Sequence, residues 1–262
     1  MSDLLRLERD GDVVEITLTR PEVRNALNAE LIGDLGAAFR AFADEPPETL
    51  RAVVLRGEGA AFCAGADVAW MRAALVLDRA ANESDARGLA EMLDAVDACP
   101  APVVARVQGA ALGGGMGLCA VSDMVVATAD AVFGFTETKL GILPAVIAPF
   151  VLAKIGETHA RALFPSGERF GADRAKAIGL VHVIALDEQE ADAALAAYVA
   201  ELHTAGPTAV RAAKSLIREL RDAAPEVARG LTVRRIAEQR TGPEGQEGLA
   251  AFLERRRPAW RA

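Results

Sequence analysis

Val103-Val104-Ala105-Arg106-Val107-Gln108-Gly109-Ala110-Ala111-Leu112-Gly113-Gly114-Gly115-Met116-Gly117 passes from an apolar, β-branched run straight into small residues. The first five residues predict a buried strand, set off from what precedes it by Pro100 and Pro102. The loop that follows runs from this strand into a helix. Glycine and alanine there let a ligand approach the backbone closely. The free amides at the helix N-terminus point forward and favour negative charge.

A second loop of the same kind lies upstream. Ala52–Leu55 reads as a buried strand, and the loop from Arg56 to Asp67 contains Phe62-Cys63-Ala64-Gly65-Ala66-Asp67. Two such loops side by side place two N–H donors on one oxygen. That arrangement is an oxyanion hole, in which the loss of one donor costs about 2.7–4 kcal/mol of transition-state stabilisation. Taken singly, either loop is equally well explained as tight strand-to-helix packing.

Working outward, Leu5–Leu7 and Val13–Thr19 predict two strands joined by the turn Asp10-Gly11-Asp12. Asn28 is the expected N-cap of a helix reaching about Ala43, stopped by Glu45-Pro46-Pro47. A helix from Ser84 to about Ala98 is next, and Met124–Ala127 and Val181–Ile184 are further strands. Beyond Asp187 the strand signals end. Four helices are expected, over Glu188–His203, Thr208–Arg221, Glu226–Glu238 and Gly245–Arg255, with Pro207, Pro225 and Pro243 at or near their starts. The class is α/β, with an expected division into a core over residues 1–190 and a helical region over residues 191–262.

Of the 262 residues, 52% are hydrophobic and 25% charged, which fits one large domain, and the net charge is −8. An acidic chain argues against nucleic acid or an anionic membrane as main partner. Three cysteines without a C-x-x-C pair, an N-terminus without a long apolar stretch and no bilayer-length apolar run lead us to expect a cytoplasmic protein. G-x-S-x-G, H-E-x-x-H and G-x-x-x-x-G-K are absent, and His159, His182 and His203 are scattered. A metal site or a Ser-His-Asp triad is not expected.

Six stretches and the tail carry a resemblance: Arg24-Asn25-Ala26-Leu27-Asn28, the FCAGAD loop, VQGAALGGG followed by Asp123, Phe133-Gly134-Phe135-Thr136-Glu137, Leu140-Gly141-Ile142-Leu143-Pro144, and Ala177-Ile178-Gly179-Leu180-Val181, with the tail Phe252-Leu253-Glu254-Arg255. Together they resemble the enoyl-CoA hydratase/isomerase (crotonase) family over nearly the whole chain. The resemblance implies a crotonase-like spiral of ββα units with a C-terminal helical region that builds trimers, often paired into hexamers. It places the oxyanion donors at the backbone amides of Ala66 and Gly114 and the acid/base at Glu137. It implies Arg24 at the phosphates of coenzyme A, the backbone near Ala64 at the adenine, and Phe252 and Arg255 at the ligand of a neighbouring subunit. Asp67, Trp70, Met71 and Gly113 join the expected substrate-binding set; capping for Asp67 and core packing for Trp70 and Met71 are the competing readings. No separate cofactor is expected, coenzyme A arriving as part of the acyl-CoA substrate.

One departure matters. Two-glutamate hydratases carry a second glutamate two residues after the third glycine, and here that position is Gly117. Either Glu137 alone hydrates a 2-enoyl-CoA, or it shifts a proton between carbons as a Δ3,Δ2-enoyl-CoA isomerase; a non-catalytic acyl-CoA-binding or scaffold member is the third possibility. Ala145 stands where a dehalogenase branch carries a carboxylate. The runs ETKLGILPAVIAPFVLAKIGE and EGQEGLAAFLERRRPAW resemble the methylglutaconyl-CoA and carboxygeranoyl-CoA hydratase branch. That branch implies a branched or carboxylated acyl group met by Lys139 or Arg72.

Overall fold

A computed structural model describes residues 3–221 and 223–261. Strands β1 (Leu5–Asp10) and β2 (Val13–Leu18) pair antiparallel across a turn in which Gly11 takes φ 58°. Asn28, extended and accepting a hydrogen bond from the Leu31 N–H at 2.8 Å, caps α1 (Ala29–Ala41) as its side-chain chemistry demands. From there the chain builds a parallel sheet: β3 (Ala52–Gly57) pairs with β2, and β4 (Val103–Val107) pairs with β3. Helices α2 (Val68–Ala74) and α3 (Arg79–Asp97) make the crossover.

The glycine-rich segment holds a strand too short to leave a periodic signal, β5 (Ala110–Leu112), and then α4 (Gly114–Val121). Next come β6 (Met124–Thr128), β7 (Val132–Gly134), α5 (Ala148–Ser166, broken at Gly156), β8 (Arg169–Gly171), α6 (Ala172–Ala177) and β9 (Val183–Ala185). The six-stranded sheet has the order β1-β2-β3-β4-β6-β9, and a small one has the order β5-β7-β8. Helices α7 (Glu188–Thr204), α8 (Pro207–Leu220), α9 (Pro225–Thr241) and α10 (Pro243–Leu253) finish the chain, each proline standing at the first helical position.

The strands β4 and β6 are buried on both faces, so they read as unbroken apolar runs. Val103, Ala105 and Val107 face the large core shared with α1, α3, α4 and α5, whereas Val104, Met124 and Val126 pack with Ala191 of α7. The division expected at 190/191 therefore falls inside α7, a helix that covers the sheet. It is locked there by Arg106 of β4, almost wholly buried, which pairs with Glu188 at 2.9 Å and Asp192 at 3.1 Å.

Because β3 and β4 are parallel neighbours, the loops leaving their C-terminal ends emerge side by side. Open parallel sheets present ligands with that edge.

Candidate active site

Asn25 ties the first of these loops down. Held at φ 55° and fully buried, it accepts a hydrogen bond from the Arg20 N–H through Oδ1 and donates through Nδ2 to the carbonyls of Glu58 and Ala61. Two residues on, Leu27 forms a parallel bridge with Ala66: its N–H donates to the Gly65 carbonyl at 2.7 Å, and its carbonyl accepts from the Asp67 N–H at 2.8 Å. Alternation along an extended backbone then turns the Ala66 N–H away from Leu27. Asp67 fixes the loop from the other side. Its Oδ2 accepts from Arg20 at 2.7 Å, and its Oδ1 accepts from the Ala69 and Trp70 amides, capping α2. The Arg20 guanidinium holds this carboxyl below the usual carboxylate range. With both oxygens engaged, Asp67 caps α2 and positions the loop, and it also lines a groove with Arg24 and Arg72.

The second loop is tied to the first. Cys63 and Ala111 form another parallel bridge, and Gly113 takes φ 48°, closing the first turn of α4 through its carbonyl with the amides of Met116 and Gly117. The spacing leaves no room for side chains. A Cβ on Gly114 would stand 2.6 Å from Leu27 Cδ1, and one on Gly115 would stand 2.5 Å from the Cys63 carbonyl oxygen. Among the described residues, neither the Ala66 nor the Gly114 amide donates to a protein acceptor. Both residues line one cavity of about 590 Å³.

Glu137 enters this cavity from the 3-10 turn Thr136–Leu140 that follows β7. A Cβ on Gly113 would lie 3.4 Å from its Oε1, which places the carboxylate beside the start of α4. Its Oε2 is buried without a hydrogen-bond partner among the described residues. Burial pushes the Glu137 carboxyl above the ordinary carboxylate range, opposed only by a hydrogen bond from its own backbone amide. No other charged side chain among the described residues lines the cavity. The rest of the wall is apolar apart from Asn82 and Thr136, with Trp70, Met71, Leu89, Ile142, Leu143 and Ile147 supplying most of the bulk.

Two free backbone donors beside a carboxyl of raised pKa, inside an apolar cavity, are the parts needed to stabilise an enolate-like oxygen and move a proton next to it. The sequence model described as enoyl-CoA hydratase/isomerase matches residues 8–262. The chain belongs to the enoyl-CoA hydratase/isomerase family. A carnitinyl-CoA dehydratase of Salmonella arizonae is 32% identical, with 100% of this chain and 99% of that protein covered. Among solved structures, Pseudomonas aeruginosa AtuE superposes with a TM-score of 0.95 at 39% identity, covering 99% of this chain and 100% of that one. An enoyl-CoA hydratase of Mycobacterium smegmatis superposes with a TM-score of 0.94 at 34% identity, with complete coverage of both chains. The α/β crotonase-like fold expected from the motifs is thus the fold of this chain.

The remaining expected residues of this family member divide clearly. Ala64, Ala66, Trp70, Met71, Gly113, Gly114 and Glu137 all line the cavity. Arg24 and Arg72 flank an adjoining groove of about 700 Å³ that shares Ala64, Ala66 and Met71 with it. Gly117 does not line the cavity. It is buried in α4, and a Cβ there would lie 2.6 Å from Ile147 Cγ2 and 3.3 Å from both δ-carbons of Leu93. Lys139 is turned aside, its stem lying against Gly167, so it is not a cavity cation; Arg72 belongs to the groove only. Phe252 lies in the last turn of α10 and Arg255 just beyond it, and among the described residues nothing past Ile147 lines either hollow. Cys63 is a core residue whose thiol burial pushes up to about 12.

Sequence reasoning passed over Leu27 as the spacer between the loops, and over Asn82, Ala86 and Leu89. Those three lie on α3, which begins at Arg79 rather than Ser84. The missed signal is Asp78, whose Oδ1 accepts from the Ala81 amide as an N-cap.

Proposed function

We propose that this protein hydrates a 2-enoyl-CoA thioester, reversibly, with Glu137 as its one proton-transferring side chain. The observation that carries the reading is the unpartnered, buried Oε2 of Glu137 beside two free amides. The thioester oxygen accepts hydrogen bonds from Ala66 and Gly114. A water molecule held by Glu137 gives its proton to the carboxylate as its oxygen bonds to Cβ. The double-bond electrons move through Cα into the carbonyl, forming an enolate. Glu137 then delivers the proton to Cα on the same face, the carbonyl re-forms, and the carboxylate is regenerated. The raised pKa of Glu137 suits a group that must hold and release the proton within one cycle.

The groove flanked by Arg24 and Arg72 supports coenzyme A phosphate binding next to the acyl cavity. The apolar wall favours a hydrocarbon acyl group. Among the described residues, the free carboxylate of a methylglutaconyl-type substrate meets no cation on it. Exposed Phe252 and Leu253 at the end of α10 support assembly into a trimer or a dimer of trimers. The reaction so written needs no cofactor beyond the coenzyme A of its substrate.

The second reading is Δ3,Δ2-enoyl-CoA isomerisation. The hydrocarbon packed against Gly117 favours it, because one carboxylate suffices for a 1,3-proton shift. Loss of enoyl-thioester absorbance with crotonyl-CoA and methylglutaconyl-CoA, beside formation of conjugated product from a 3-enoyl-CoA, separates the readings. Hydration that vanishes in Glu137→Gln supports the proposal. Isomerisation without hydration overturns it.

A further inference from the structure

We infer that Ile147 is the acyl-size determinant of this site, resting on the reading that the cavity holds the acyl group of a thioester. As the residue preceding α5, it supplies the carbonyl that accepts from the Val151 amide, so its backbone is fixed by that helix. Its side chain is only 2% exposed, yet it lines the cavity. The same side chain fills the space over Gly117, with Cγ2 2.6 Å from where a Cβ would stand.

Gly114 and Gly117 are three residues apart on α4, one above the other on the same face, about one turn of helix apart. Leu27 covers the first and Ile147 the second, and both line the cavity. The floor of the cavity therefore starts at an oxyanion donor and ends, one turn on, against a branched aliphatic side chain. The mouth has a different character: Leu140, Ile142 and Leu143 line it and are all exposed. Residues at such a mouth yield to a ligand at little cost. Ile147, pinned between α4, α5 and Leu93, cannot shift without moving the core. The size limit on an acyl chain that reaches past its reacting carbons is thus set at Ile147. Leu93, fully buried behind it, takes no direct part.

The test is binding of saturated thioesters, butyryl-CoA and octanoyl-CoA, by titration calorimetry on the wild type, Ile147→Ala and Ile147→Val. These ligands have no double bond to react. Trimming Ile147 opens space for extra methylenes, each worth roughly a fourfold gain when buried. The ratio of octanoyl to butyryl affinity is expected to rise about tenfold in Ile147→Ala and by a smaller factor in Ile147→Val. Ile147→Val removes a single methylene, so it reports even where the alanine variant does not fold. An unchanged ratio in a folded variant overturns the assignment. Absence of enoyl-CoA hydration by a wild type that binds both thioesters overturns the functional reading instead, and leaves the size assignment to stand or fall on the binding ratio.

Discussion

At the scale of single residues, Glu137 sets activity against stability. Its side chain is half-buried, its buried Oε2 has no hydrogen-bond partner among the described residues, and its pKa is raised in the folded state. A raised folded pKa means that the protonated group is favoured by folding. Its stabilising contribution is complete below the unfolded value and is lost as the pH rises through the folded one. Above the unfolded value, Glu137 therefore costs the fold stability. Replacing Glu137 by Gln is expected to cut kcat by at least about 100-fold and to raise Tm at neutral pH, the rise shrinking under acid conditions; thermal melts at two pH values check this beside the kinetics. Glu137 also marks what the sequence could not say by itself. A glutamate in a Thr-Glu-Thr-Lys run looks solvated, and only its flanking motifs point inward. Gly117 shows the opposite limit. The missing second carboxylate was legible, but that Ile147 fills the space depends on a contact thirty residues downstream, which no local pattern encodes.

At the scale of elements, the candidate active site is a meeting of two strand ends and a helix start, held by capping chemistry. Asp67 is the joint: it caps α2, pairs with Arg20, and its own amide secures the bridge that orients Ala66. Asp67→Ala removes a cap worth about 0.5–2 kcal/mol. It is expected to lower kcat more than it raises KM, because the displaced donor serves the enolate more than the ground-state thioester; a kcat/KM split on crotonyl-CoA reads this out. The long elements were legible because their periods repeat. Asn28 announced α1, and the three prolines announced α8, α9 and α10. The short strands β5, β7 and β8 were not, since they carry no β-branched run like the Val181–Ile184 stretch that marked β9 and their pairing is entirely non-local. Helix α5 was missed for a related reason: Gly156, at φ 75°, and Pro165 interrupt its sequence pattern.

At the scale of the whole molecule, two predictions concern the parts away from the site. His182 bridges the end of the sheet by accepting the Val125 amide on Nδ1 at 2.9 Å, so it must be neutral there, and burial, helped by Lys154, lowers its pKa. A lowered folded pKa gives stability that is complete above the unfolded value of about 6.5 and is lost as the pH falls through the folded one. Denaturant melts at about pH 7.5 and about pH 5 should therefore show weaker folding at the lower value, and His182→Gln should flatten that difference. Along α8 to α10, Ile217, Val227, Val233, Phe252 and Leu253 are exposed, with Phe252 at 80%. Light scattering is expected to report an assembly larger than one chain, and Phe252→Asp to shift it toward the monomer.

Among the described residues, the cavity and its adjoining groove draw their lining from the stretch ending at Ile147, and the helices after β9 contribute none. The molecule is in that sense heritable in two parts. In a chimaera that takes its sequence through α5 from one relative and its last helices from another, the choice of acyl group would descend from the first parent and the choice of companions from the second.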